Sequence, residues 1–514
     1  MLVDRPWFDR MKDEDFEFYE RLLPAEDPLL DALEEIPWDS FLPIIASYYS
    51  SDRGQPAIDP LIMLKLEFLR YFRRLPDREV ISRARTDVLY RYFLQIPVRY
   101  RLPAPTSLVN FRGRLGVDGF QEVFNQLISA ARQAGMVRDR LRLKDASHMI
   151  AKIAVPSALK LLAQVREKVL ASMDDLEPAS ADGFRIEIDR MREDTKCASD
   201  EIRLQQRVEL LGEMVSCLKE MLASLPPDQR WQCRGAFDVL ELATKILADM
   251  ADPSKGKRTL SVVDPDARRG KHGQWYNGYS VDLMMDADSE LITAVDVYAA
   301  GGDEAKSAVN LVATEQQAQE NEIESLSIDG VGFNGPMLRE LEGADGSAMT
   351  VYTPPRESSN ANVLSVEEFK LSEDGKQVTC PAGKLSSSRQ RDNARHRTYF
   401  LFARSTCEGC ALMPQCKPEL GKGRYGGRGV TKNDYEAEHR RARCRSRTEE
   451  YASVRREHPA VERKINQVMN HQGGRYARYW GRPKVKIQAL MTCFVVDVKQ
   501  MLQLCLKNRM QLAH

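Results

Sequence analysis

The sequence predicts an α/β protein: one mixed sheet flanked by helices, with an N-terminal helical domain and two insertions. Three observations predict it. Between Thr259 and Pro354, short apolar runs of strand length alternate with helical patterns. Helical spacing dominates residues 41–135 and 157–258. Residues 356–450 have few long apolar runs and are rich in Gly, Ser, Arg and Cys.

The elements follow in order. Residues 1–40 are acidic and Pro-punctuated and carry Trp7, Phe8, Phe16 and Tyr19, which predicts packing on the helices that follow. Pro60–Phe72 has helical spacing with Pro at its start. Val80–Phe93 and Ser107–Leu115 continue the pattern, broken by Pro97, Pro103 and Pro105. Leu141–Ala154 alternates as a strand does. Ser157–Leu176 and Phe184–Met250 read as an inserted helical hairpin or bundle, interrupted at Pro226-Pro227. Val281–Met285 and Leu291–Tyr298 read as strands joined by the turn Asp286–Ser289. Glu304–Glu320 reads as a helix, Ser325–Asp329 as a strand, Gly335–Leu341 as a helix and Ala348–Tyr352 as a strand ended by Pro354-Pro355. Tyr451–Gln467 and Lys484–Leu506 close the chain as helices. An early strand pair, a crossover helix and a later strand are the layout of a ribonuclease-H-like core. The predicted units are a helical domain at 1–135, a core made of 136–156, 259–355 and 451–510, a helical insertion at 157–258 and a Cys-rich insertion at 356–450.

Composition bounds the function. At 514 residues the chain holds two to four domains of ~150 residues. Its 43% hydrophobic and 29% charged residues are those of an ordinary soluble protein. The first twenty residues lack the apolar stretch of a signal peptide, and no uninterrupted apolar run reaches the ~18 residues of a membrane span. A cytoplasmic protein with no membrane partner is expected. The net charge is zero but unevenly spread. Cys380–His514 holds 28 Lys and Arg against 11 Asp and Glu, a net of +17, so residues 1–379 carry −17. Leu61–Arg114 is a second basic block, with 12 Lys and Arg against 4 Asp and Glu. Two basic blocks in a neutral chain fit a polyanion.

Three carboxylates stand apart. Asp145 lies in Leu141-Arg-Leu-Lys-Asp-Ala-Ser-His148, Asp329 ends the run Leu326-Ser-Ile-Asp, and Glu462 sits on a predicted helix before a basic tail. Two strand-end Asp residues and a helix-borne Glu can form an oxygen cage for two Mg²⁺ or Mn²⁺ ions, the chemistry of phosphodiester transfer. A second set is Cys380, Cys407-Glu-Gly-Cys410 and Cys416, which has the knuckle spacing of a structural Zn²⁺ site. Arg and Lys alternate with Tyr and Trp in Gly473–Lys486. The DNA contacts expected are Arg73, Arg74, Arg112 and Arg114 on the N-terminal helices, and Arg475, Arg478, Trp480 and Lys484 in the tail.

These residues carry a resemblance. Val263-Asp-Pro-Asp-Ala-Arg-Arg-Gly-Lys-His272, Gly278-Tyr279 and Ala287–Val295 resemble bacterial insertion-sequence DDE transposases, specifically the insertion-sequence family numbered eleven eighty-two. Residues 45–115, with Pro105–Arg112, are similar to that family's N-terminal transposase domain. Ser327–Phe333 resembles the region of its second Asp, Cys380-Pro-Ala-Gly and the later cysteines its Cys-rich insertion, and Glu457–Lys464 with Ala477–Gly481 the region of its catalytic Glu. The resemblance implies that Asp145, Asp329 and Glu462 are the catalytic triad. It also implies double-stranded DNA (element ends and target) as the partner, bound by a homodimer. The chain departs from the family pattern in placing Arg455 and His458 before Glu462, Met469 seven residues after it, and Asp497-Val-Lys-Gln500 near its end. Competing readings are a nuclease of the same fold and a transposase-derived DNA-binding protein with a weak or dead site.

Overall fold

The computed structural model describes residues 11–50, 57–252, 258–355, 364–417, 419–421 and 426–512. Trp7 and Phe8 lie outside them.

Seven helices precede the first strand: α1 (Asp13–Glu20), α2 (Pro28–Glu35), α3 (Leu42–Ser47), α4 (Pro60–Phe72), α5 (Asp77–Thr86), α6 (Val88–Phe93) and α7 (Pro105–Gln133). Asp59 caps α4, accepting from the Leu61 and Ile62 N–H groups, and Pro60 opens it. The helix read as ending at Leu115 runs on to Gln133. It passes a kink at Gly116, whose φ of 59° glycine adopts without a Cβ penalty.

The sheet contains β1 (Arg142–Ile150), β2 (Arg268–His272), β3 (Gln274–Asp286), β4 (Ile292–Ala299), β5 (Ser325–Ser327) and β6 (Thr350–Tyr352). Its order is β2-β3-β1-β5-β6, with β4 also pairing β3. The long β3 uses its first residues against β2 and the rest against β4, while its other edge meets β1 antiparallel. β5 joins β1 in parallel and β6 joins β5 in parallel. Two insertions leave this sheet. One is a bundle of α8 (Ala158–Leu176), α9 (Pro178–Asp194), α10 (Asp200–Ser224) and α11 (Arg234–Ala251). The other follows the crossover helix α12 (Glu304–Gln319) and α13 (Gly335–Glu342). It contains the β7 (Lys370–Leu371) and β8 (Val378–Thr379) pair, a sheet of β9 (Ser388–Asp392), β10 (Arg397–Leu401) and β11 (Gly429–Asn433), and the one-turn helices α14 (Arg404–Cys407) and α15 (Met413–Cys416). Helices α16 (Glu436–Arg445), α17 (Glu449–Glu457), α18 (Pro459–Asn466) and α19 (Arg482–Leu512) return the chain to the core.

Four apolar clusters account for this arrangement. The bundle has its own, built on Leu161, Val165, Leu211, Met214 and Ile246. A small one around Phe369, Phe400 and Val430 supports the Cys-rich insertion. A third lies between α12, α13 and one face of the sheet. The largest joins the N-terminal helices, the other sheet face, α18 and α19. The N-terminal helices therefore share a core with the sheet. Trp38, Phe41 and Phe68 all meet the Phe494 ring of α19, at centroid distances of 6.5, 5.7 and 6.2 Å. By length and composition Arg482–Lys507 could cross a membrane, but 67% of its most apolar stretch is buried inside the protein, as expected of a core helix.

One polar network is sealed into the N-terminal helices. Glu67 is fully buried and pairs with Arg70 (3.3 Å) and Arg112, and both arginines also pair with Asp77. Removing one member leaves buried charge uncompensated, which costs about 3 kcal/mol or more. Glu67→Ala is therefore expected to lower the denaturant-unfolding free energy by about that amount. A loss below about 1 kcal/mol would show that the network is not integral to the fold.

Candidate functional site

Strand β1 alternates two chemistries. Arg142 and Lys144 point to the α12 face and are buried there. Arg142 pairs with Asp286 (3.0 Å) and Glu315 (2.7 Å), and Lys144 pairs with Asp282 (3.2 Å) and Glu304 (2.7 Å). These pairs tie β1 to β3 and to α12. The intervening residues point to the opposite face, where Leu143 joins the cluster that contains Val461 and Ile465 of α18. By the same alternation Asp145 faces the α18 side.

Asp329 reaches this face from β5. The parallel ladder sets Arg142 beside Leu326 and Leu143 beside Ser327, where β5 ends, and Asp329 follows two residues on. Asp329 caps the turn Gly330–Gly332, its Oδ1 accepting from the Val331 N–H at 3.1 Å. Its carbonyl accepts from the Thr353 hydroxyl at 2.8 Å. Asp145 Oδ1 accepts from the Ala146 N–H at 2.7 Å. The Asp145 carboxyl is pushed up to about 6, chiefly by burial and further by the negative charge of Asp329 and of Glu304, against the opposing pull of the Ala146 N–H and of Lys144. Asp145 thus lies within reach of the Asp329 charge.

Glu462 lies on α18 and is exposed. The predicted single helix is two, α17 and α18, with His458 at their junction. His458 is buried, and its Nδ1 lies 3.1 Å from the Ser327 hydroxyl. Arg455 donates to the Ile328 carbonyl at 3.0 Å. These two residues pin the helices to the strand that leads into Asp329. Glu462 follows His458 by one helical turn and so stands on the same side of α18. Lys464 and the buried Asp497 of α19 hold the helix from beneath. The Lys464 ammonium lies 3.2 Å from Gln500 Oε1, and Asp497 accepts from the Ile292 N–H at 2.9 Å.

The four cysteines Cys380, Cys407, Cys410 and Cys416 line one cavity of about 30 Å³. The Lys384 N–H donates to the Cys380 sulfur and the Arg428 N–H to the Cys407 sulfur, both at 3.4 Å. Burial raises the Cys416 thiol, and the other three cysteines add to that rise. Yet among the described residues no group of three or more His, Cys, Asp or Glu side chains closes into a metal-holding arrangement. That finding covers both the thiols and the carboxylates. Facing a common cavity is a looser condition than closing on a common centre, and only the looser one is met.

The expected DNA contacts divide. Arg112 belongs to the buried network with Glu67 and Asp77 and does not face solvent, which corrects its assignment as a DNA contact. Arg74 donates to the His471 carbonyl at 3.2 Å, and Arg478 lies over the Tyr71 ring at 5.1 Å, so these two dock the N-terminal helices onto the tail. Arg475 is half-buried and donates to the His148 carbonyl (2.9 Å) and the Ser147 hydroxyl (3.3 Å). It braces the far end of β1, where Ile150 and Tyr476 form a parallel bridge. Arg73 pairs with Asp27 at 3.0 Å. Arg114 is exposed against the Tyr49 ring, and Trp480 and Lys484 are exposed on the tail. Sequence reasoning missed Glu304, a charged neighbour of Asp145 at the start of α12, because first-turn acidic residues are ordinary.

Asp145 gives a test of this electrostatics. Its folded pKa of about 6 lies above the ~3.9 of an unfolded Asp, so ionising it disfavours the folded state. The penalty grows from about pH 4 to pH 6 and is complete above that. Asp145→Asn should therefore melt higher than the parent at pH 8 in metal-free buffer and equally at pH 4. Equal melting at both values would mean that no such strain exists.

Residues 17–114 match the family described as Transposase domain (DUF772), and residues 379–502, which include Glu462, match the family described as Transposase DDE domain. None of the curated proteins matches the chain. Among solved structures the cryo-EM structure of piggyBac transposase synaptic complex with hairpin DNA is 8% identical over 92% of this chain and 75% of that one. Its TM-score of 0.26 is too low to bear on the fold. The DDE domain implies use of a divalent metal, typically Mg²⁺. With residues 17–114 matching a transposase domain and residues 379–502, which carry Glu462, matching a transposase DDE domain, the chain is similar at both ends to DDE transposases, enzymes acting on DNA.

Proposed function

We propose that this transposase cuts and joins the DNA ends of its element at Asp145, Asp329 and Glu462, on a ribonuclease-H-like core. The strand order β4-β3-β1-β5-β6, three antiparallel strands followed by two parallel ones, supports that fold reading. The observation that supports the site is that Asp329 follows the strand paired in parallel with β1 and its charge reaches Asp145. Such a pair is relieved by divalent cations, and Glu462 on the overlying helix supplies a third carboxylate. Two Mg²⁺ or Mn²⁺ ions, when bound there, would supply Lewis-acid polarisation of a phosphate and an activated water or 3′-hydroxyl.

The protein's own part is positioning. The Lys144 ion pairs and the Arg142 network fix β1, and His458 and Arg455 fix the Glu462 helix against β5. Exposed Arg114, Trp480 and Lys484 are proposed to hold double-stranded DNA, with a homodimer bridging the two ends. Asp329→Asn should abolish strand cleavage and strand transfer on DNA bearing the element's ends while changing binding affinity by less than about threefold. Full activity in that variant would remove the assignment, and loss of binding alone would point to a structural role.

We also propose a structural Zn²⁺ held by Cys380, Cys407, Cys410 and Cys416. Four thiols at one cavity with two N–H···S contacts have the donor chemistry of such a site, and the small apolar cluster beside them gives the insertion little core of its own. Metal analysis of protein purified under reducing conditions should find about one Zn per chain, falling to none in Cys407→Ser/Cys410→Ser. Zinc-free wild-type protein that folds normally would eliminate this site.

A further inference from the structure

We propose that the hairpin formed by β2 and the start of β3 is a second DNA-contact element, with Trp275 stacking on an exposed base and Arg269 and Lys271 contacting phosphates. This rests on the transposase reading and extends it to a surface outside the carboxylate site.

Residues 268–277 read Arg-Arg-Gly-Lys-His-Gly-Gln-Trp-Tyr-Asn, with three Lys or Arg and no Asp or Glu. The register pairs Lys271 with Trp275 and Arg269 with Asn277, so these four side chains share one face. The other face carries Gly270, His272 and Tyr276. Tyr276 covers Gly270, where a Cβ would lie 2.8 Å from the phenol ring. Tyr276 and His272 both meet His148 of β1, at ring distances of 4.5 and 5.2 Å. The inner face is thus committed to the protein, and the outer face is not.

On the outer face Trp275 is 61% exposed, which leaves ring surface open to a stacking partner. The Arg269 guanidinium lies 4.8 Å and the Lys271 ammonium 5.9 Å from its ring centroid. Both cations therefore sit against an aromatic ring rather than a carboxylate. A cationic, aromatic surface is complementary to a nucleic acid strand, whose phosphates take the charges and whose bases stack.

Position supports the same occupant. β1 ends at Ile150 beside Gly278, where a Cβ would strike the Met149 carbonyl, so the hairpin continues past the end of β1. There it adjoins the tail, since Ile150 bridges Tyr476 and the Trp480 Nε1–H points to the Lys152 carbonyl at 3.4 Å. Trp480 is itself 57% exposed. Asp145 lies five residues back from Ile150 along β1, and Trp275 lies three residues beyond Gly278, a separation of roughly 26 Å at ~3.3 Å per residue. That is about eight nucleotides of a DNA strand. A strand held at the carboxylates would meet the hairpin within one turn.

The test measures affinity of the full chain for a labelled duplex with a single-stranded overhang and for the blunt duplex, across a salt series. Wild-type protein should prefer the overhang. Trp275→Ala should cost about tenfold on the overhang DNA and little on the blunt duplex, with Trp275→Phe restoring most of the loss. Arg269→Ala/Lys271→Ala should flatten the salt slope by about 2 on both DNAs. Circular dichroism and unchanged melting would show that the variants fold. Wild-type-like binding by both variants would overturn the hairpin proposal and leave the transposase reading intact, as would a change in self-association alone. Absence of any DNA binding by the wild-type protein would instead overturn the reading on which it rests.

Discussion

The parallel pairing of β1 with β5 is the constraint on which the rest of the structure depends. It brings two carboxylates from residues far apart in sequence near one another and exposes Asp145 to the charge of Asp329. Left alone, that arrangement is unfavourable. The fold sustains it by fixing β1 from the opposite face, where Arg142 and Lys144 are buried among Asp282, Asp286, Glu304 and Glu315. Alternation along a strand lets one nine-residue element anchor itself on one face and present Asp145 on the other.

The helix that bears Glu462 depends on the same strand pair. Its approach is set by His458 on Ser327 and Arg455 on Ile328, both in the segment that leads to Asp329. Its underside rests on β1 and β3, and its Lys464 reaches Gln500 of α19, whose apolar body is shared with the N-terminal helices. The matched transposase domain and the matched DDE domain are therefore mechanically continuous. Arg74 and Arg478 reinforce that junction. Basic residues read from sequence as contacts for DNA here hold the protein together, which is the commoner fate of an arginine beside tyrosines and carboxylates.

Much of this was legible in the sequence. The strands, the crossover helix and the helical insertion follow from hydrophobic period and Pro placement; Asp329 lies just past a strand end as read, whereas Asp145, read as strand-end, is the fourth residue of the nine-residue β1. What escaped has physical reasons. β2 was missed because Arg268–His272 has no apolar alternation and pairs as half of a hairpin whose outer face is cationic and aromatic. The division of the Glu462 helix at His458 was missed because the following Pro459 is acceptable at a helix start. Arg112 was misread because its partners Glu67 and Asp77 are spread over two other helices. Burial of a charge depends on tertiary neighbours that local sequence does not reveal.

The central claim is that Asp145, Asp329 and Glu462 act as one metal-binding set. The most direct measurement is an anomalous-scattering crystal structure of the protein with Mn²⁺ and DNA carrying the element's ends. The account predicts Mn²⁺ density between Asp145 and Asp329, with Glu462 among the ligands and the scissile phosphate beside it. Mn²⁺ bound elsewhere, or held by Asp145 and Glu304 with Glu462 turned to solvent, would contradict it.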